Sequence, residues 1–199
     1  MAVPSIKGMA MQSAVVDVAR LIETKRISPE ELEVRLAPAD LRLLDDKLNP
    51  AAWYPIESYR RFVRVLVDKE AQGRVEEYLV QRGWRAAERI KNSGLYGQLE
   101  ASRETWGTRV GRIVVSIASV LYNFTRWSIE LVEDDKPYRV IVDDARDFVD
   151  ECRYTAQGFV AYASTVVGNG PVDVTSSRPA PDRVVYEVRR ARGAAARKG

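Results

Sequence analysis

No histidine occurs among the 199 residues, and cysteine occurs once, at Cys152. Histidine is the usual side chain that titrates near neutral pH and the commonest metal ligand. Its absence excludes a Ser-His-Asp triad, a Cys-His dyad, His-bound zinc and His-ligated haem. One thiol excludes an intramolecular disulfide and a multi-cysteine zinc site, and makes a reducing, cytoplasmic setting the expectation. Long apolar runs are missing too. Residues 113–122 make the longest, broken by Ser116 and Ser119, and a membrane-crossing helix needs about 20. Residues 1–12 carry no basic stretch leading into an apolar run, so no signal peptide is expected. Gly168-Asn169-Gly170-Pro171 fits neither a P-loop nor a dinucleotide fingerprint. The acidic pairs Asp45-Asp46, Asp134-Asp135 and Asp143-Asp144 sit at element ends, where they read as solvated turns. No catalytic set, metal or cofactor is expected, and an enzyme using carboxylate or tyrosine chemistry is the weakest of three functional readings.

With 46% apolar and 30% charged residues the chain has the profile of one soluble globular domain. The net charge of +3 is misleading. Leaving out Arg189, Arg190, Arg192, Arg197 and Lys198 takes it to −2, so the body is nearly neutral and no specific nucleic-acid partner is expected. Residues 191–199 read as a basic disordered tail, residues 1–12 as a loose N-terminus, and residues 13–190 as a single α+β domain.

Hydrophobic periodicity supplies the elements. Val15, Val18, Leu21 and Ile22 mark a helix over 13–25. Ser28-Pro29-Glu30-Glu31 is a helix start, with Ser28 as cap and Pro29 at the first helical position. Pro38 opens another short helix. Trp53-Tyr54-Pro55 reads as a connector into a helix with Ile56, Tyr59, Phe62, Val63, Leu66 and Val67 inward, leaving Arg60, Arg61 and Arg64 on a solvated face. A helix over 74–91 turns Val75, Leu79, Ala86 and Ile90 inward. The helix over 103–123 presents Val110, Ile113, Val114, Ile117, Ala118 and Leu121, and is apolar around most of its second half. Gly107 and Gly111, four apart on it, mark close packing of a neighbour. Strand alternation then begins: 127–132 and 138–142 form a hairpin across Asp134-Asp135-Lys136-Pro137, a helix runs from Cys152 to Val167, and strands at 172–176 and 184–190 flank a loop over 178–182. The expected fold is a layer of five to six helices packed on a four-stranded antiparallel sheet of ββαββ order.

This order resembles the superfamily of haem nitric-oxide-binding domains, vinyl-reductase-like ligand-binding domains and Golgi transport-particle subunits. More narrowly, it resembles a myxobacterial, hence bacterial, family of paralogous proteins of unknown function. Three stretches carry the resemblance: Leu48-Asn49-Pro50-Ala51-Ala52-Trp53-Tyr54-Pro55, the Trp127-Ser128-Ile129-Glu130 strand with Tyr138-Arg139-Val140, and Val185-Tyr186-Glu187-Val188. The resemblance implies a sensory or regulatory fold that holds an apolar small molecule or a protein partner. It does not imply haem here. The haem branch uses a proximal histidine and a Tyr-x-Ser-x-Arg signature, and the nearest spacing in this chain is Tyr162, Ser164 and Val166 on a predicted helix. The vinyl-reductase-like branch often carries cysteines near its last strands, where this chain has Ser176, Ser177 and Arg178.

Candidate ligand-lining residues are therefore Trp84, Trp106, Val110, Tyr122, Trp127, Cys152 and Phe159, because small-molecule clefts are lined mainly by apolar and aromatic groups. The alternative for these residues is ordinary core. Trp53 and Tyr54 are candidates for an interface, and a structural adaptor acting as a homodimer through them is the second functional reading. Its alternative is that they set the entry angle of the following helix.

Overall fold

In the computed structural model, residues 3–92, 106–131, 137–168 and 170–191 are described. Among them run β1 (Ser5–Lys7), α1 (Gly8–Glu23), α2 (Pro29–Arg35), α3 (Pro38–Asp45), β2 (Trp53–Pro55), α4 (Ile56–Glu70), α5 (Val75–Asn92), α6 (Trp106–Leu121), β3 (Arg126–Glu130), β4 (Tyr138–Asp143), α7 (Asp150–Gly168), β5 (Val172–Ala180) and β6 (Arg183–Arg190). The fold is α+β, with seven helices and a four-stranded antiparallel sheet of order β3-β4-β6-β5. The chain divides into two compact units, where the sequence reading has one domain over 13–190. One unit holds the described residues up to Tyr78 together with Leu121–Phe124; the other holds Leu79–Val120 and the described residues from Thr125 onward.

In the first unit residues 5–12 form a strand and the start of a helix, where a loose segment is expected. Residues 5–7 pair antiparallel with 53–55, Ser5 opposite Pro55 and Lys7 opposite Trp53. Ile6 also bridges Tyr122, and Asn123 accepts from the Ser5 amide at 2.7 Å. These are long-range pairings of a three-residue strand, too short for any period to announce. α1 consequently starts at Gly8, with its first amides donating to Ala52 O and Pro50 O. Trp53 and Tyr54 thus belong to a strand and not to a bare connector. α1 packs on α4, and Met11, Val15, Val18, Leu21, Phe62, Val63 and Leu66 form the core between them. Ser28 caps α2 as read from sequence, its Oγ accepting from the Glu31 amide at 3.2 Å.

The arginine face on α4 needs correction. Arg64 is exposed, but Arg61 is half-buried, and its Nε donates to Asp40 Oδ2 at 2.5 Å. Asp40 is the only fully buried residue of α3, with its side chain 1% exposed. Its Oδ2 also accepts from the Ala37 amide at 3.1 Å, closing the first turn of the helix. Burial alone raises this carboxyl, yet hydrogen bonds from Arg61, Ser58 and Ala37 outweigh it and hold the group below the usual carboxylate range.

In the second unit, β4 pairs with both β3 and β6, and β6 with β5, giving the expected ββαββ order. β5 runs on to Ala180, so residues 178–180 are strand where a loop is expected; a register shift between Ser177 and Ala180 accommodates Pro179. Arg189 and Arg190 lie in β6, as the strand expected over 184–190 has them, and Arg189 donates to Glu187 at 2.8 Å. On α5, Val75 is exposed and Ala86 only half-buried, while Leu79 and Ala87 are buried. The Ile90 side chain, the surroundings of Gly107, the 134–136 turn and residues 192–199 lie outside what is described.

Candidate functional site

Alternation on the strands sends Trp127, Val140, Val142, Val184, Tyr186 and Val188 to one face of the sheet, where all are buried. Across that face Trp127 stacks on Tyr186, ring centroids 6.1 Å apart and planes 8° from parallel, and meets the Phe148 ring edge-on at 5.7 Å. Its indole N–H donates to Thr125 Oγ1 at 2.9 Å, which satisfies the one polar atom the ring buries. Phe148 precedes α7 in a segment held by Arg178, whose guanidinium donates to the carbonyls of Ala145 (3.0 Å), Pro181 (3.1 Å) and Phe148.

α7 covers this face with both apolar and polar groups. Tyr186 donates its hydroxyl to Arg153 O at 3.0 Å. Gln157 donates to Val174 O at 2.9 Å and accepts from Ser176 Oγ at 2.7 Å. Ser164 donates to Val160 O at 2.6 Å, so the 2.6 Å contact between Tyr138 and Ser164 is made with the tyrosine as donor. Burial pushes the Tyr138 and Tyr186 hydroxyls far above the ordinary phenol range. Both are neutral donors at any physiological pH. Cys152 is wholly buried beside Tyr186 and behaves as a small hydrophobe.

The opposite side of α7 meets α5 with backbone against backbone. A Cβ at Gly83 would overlap the Thr155 carbonyl, and a Cβ at Gly158 would overlap the Val80 carbonyl. Each helix therefore carries a glycine where the other approaches. Beside this crossing Trp84 sits edge-on to Tyr162 at 5.2 Å and is 37% exposed. The third close approach was anticipated: Gly111 of α6 receives the Ile129 side chain from β3.

Within the second unit, Trp84 and Phe159 do not share a cleft with Trp127 and Cys152. Trp127 and Cys152 lie on the sheet side of α7. Trp84 and the half-buried Phe159 lie at its crossing with α5, and α7 stands between the two groups. Val110 is buried on α6. Tyr122 belongs to the first unit, where it meets Phe124 edge-on at 6.0 Å. The Trp106 side chain lies outside what is described. Trp53 is 43% exposed with Lys7 Nζ 4.0 Å above its ring, and the Tyr54 hydroxyl accepts from the Asn49 amide at 3.1 Å. Sequence reading gives no site role to Tyr138, Ser164, Gln157, Arg178 or the Gly83–Gly158 pair. The two glycines did leave a signal: each sits in a helix interior with no capping role, where glycine costs about 1 kcal/mol against alanine.

The contact at Gly111 gives a graded expectation. Gly111→Ala meets the far end of a movable side chain and not backbone, so it should lower stability by about 1–2 kcal/mol. Adding Ile129→Val should recover most of that loss in chemical denaturation.

No protein-family model matches this chain, and neither does any curated protein. Among solved structures it is similar to H-NOX proteins over nearly its full length. A point mutant of the Fe(II) unliganded H-NOX protein from K. algicida aligns at TM-score 0.67 with 10% identity, covering 94% of this chain and 98% of that one. The Fe(II) unliganded protein from the same organism aligns at 0.62 with 10% identity, covering 94% and 97%. A T. Tengcongensis H-NOX mutant aligns at 0.57 with 11% identity, covering 93% and 97%. At these identities the likeness is one of fold. The chain has the H-NOX fold.

Proposed function

We propose that this chain is a non-enzymatic sensory or regulatory module that binds an apolar small molecule or a protein partner without haem, in a reducing cytoplasmic setting. One observation carries the reading: a chain that matches the H-NOX fold across 94% of its length has no histidine. Haem iron in proteins is held by His, Cys, Met or Tyr. Here Cys152 is wholly buried beside Tyr186, and the buried Tyr138 and Tyr186 hydroxyls are hydrogen-bonded and far from ionising. None of these three side chains is set up to ligate a haem iron. Among the described residues no group of three or more acidic or cysteine side chains could hold a metal ion, and no helix is long and apolar enough to cross a membrane. Kinship with the paralogous myxobacterial proteins rests on the sequence resemblance alone.

The exposed Trp53 supports the second reading, an adaptor that works as a homodimer. Native mass spectrometry of the purified chain, with its absorption spectrum, tests both. A bound apolar molecule or partner protein with no Soret band is the expected result. A bare dimer would favour the adaptor. Stoichiometric haem, or a bare monomer that gains no mass from a lipid extract of its host, would remove the proposal.

A further inference from the structure

The segment between α1 and α4 is anchored differently from the rest of the first unit. α4 buries seven side chains: Ile56, Ser58, Tyr59, Phe62, Val63, Val65 and Leu66. α2 buries Leu32 alone, and α3 buries the charged Asp40 alone, with Ile27, Leu36 and Leu48 buried in the connections. α3 also packs on α1, and ion pairs tie the segment to α4. Lys69 lies 2.8 Å from Glu31 and Arg35 lies 2.5 Å from Asp68, while Arg35 and Glu31 also pair within α2 at 3.1 Å. Arg61 lies 2.5 Å from Asp40. Apart from the Asp40 carboxylate, the members of these pairs are partly open to solvent, so salt screens them. Asp40 Oδ1 is buried with no hydrogen-bond partner, so even the most enclosed pair is incompletely satisfied. Turns bound the segment on both sides: Lys25 adopts the left-handed conformation (φ 55°) before it, and Asn49-Pro50 follows it.

We propose that residues 29–45 form a strap that opens from α4 as a unit, latched by the Glu31–Lys69, Asp68–Arg35 and Asp40–Arg61 pairs. Few buried apolar side chains and a screened electrostatic hold define a segment of low local stability. Opening uncovers the two buried apolar side chains of the segment, Leu32 and Leu36.

Native-state hydrogen exchange on the full chain tests this. The probes are the hydrogen-bonded amides of Leu32, Leu36 and Leu41 in the strap, against those of Phe62 and Leu66 in α4. Strap amides should exchange at least about 100-fold faster than α4 amides in low salt, and about tenfold faster again in 0.5 M sodium chloride, with α4 changing less than about twofold. The double variant Arg35→Gln/Lys69→Gln should reproduce the high-salt rates in low salt. If strap and α4 amides exchange together, or if strap protection ignores salt, the proposal is wrong. The wild-type salt series decides it even if the variant does not fold.

Discussion

Alanine at Gly158 should cost about 3 kcal/mol or more, at the upper end for an over-packed core position. For a chain of this size that corresponds to a fall in melting temperature of roughly 6–12 °C. The new methyl would overlap the Val80 carbonyl and crowd the Trp84 amide. Both are backbone atoms of α5, so no rotamer change relieves the contact and the helices must part. Parting would strain the bonds that tie α7 to the sheet through Gln157 and Ser164. Gly83→Ala, aimed at the Thr155 carbonyl from the other helix, should match it. The sign is informative, because glycine to alanine in an unobstructed helix interior stabilises by about 0.5–1 kcal/mol. Thermal melts of the two variants beside Gly111→Ala should therefore rank the backbone contacts well above the side-chain contact. Equal losses at all three positions would argue against direct approach of α5 and α7.

Removing the cation from the Asp40 pair should have a comparable effect. Arg61→Met should lose about 3–5 kcal/mol near neutral pH, because it leaves a buried carboxylate without its counter-charge. Asp40→Asn should lose less, since the Arg61 left behind is partly exposed and can be solvated. The pH dependence should change sign between wild type and variant. In the wild type the folded state holds Asp40 below its unfolded pKa. That contribution is present above the usual carboxylate range and disappears as pH falls through the lowered value. Without Arg61, burial dominates and lifts the folded pKa above the unfolded one. The folded variant then takes up a proton that the unfolded chain does not, and its stability should recover as pH falls through the raised value. Urea unfolding from pH 7 down to about pH 2 measures both slopes. Parallel slopes would show that the pair is not coupled to folding.

Long periodic segments were legible before any coordinates. α4, α6 and α7, the Ser28 cap and the ββαββ order follow from local rules, since amphipathic period, capping chemistry and strand alternation act within a few residues. Gly111 was also readable as a close-packing position. The candidate site was much less legible. Aromatic composition grouped Trp127 with Trp84 as candidate lining residues, but Trp127 is buried on the sheet and α7 separates it from Trp84. Arg61 was placed on a solvated face because its neighbours along the helix are charged; its partner Asp40 lies 21 positions away.

By itself the sequence determined the absence of histidine chemistry, the number and kind of the larger elements and the apolar face of each, because these depend on residue identity and short-range period. Only the tertiary structure decided that residues 5–7 are a strand, that Gly83 and Gly158 are places where two helices touch, that Arg178 ties down the start of α7, and that Asp40 is buried with its charge answered by Arg61. Each of these depends on a partner far along the chain. A local pattern carries no record of which distant backbone or charge the folded chain will bring beside it.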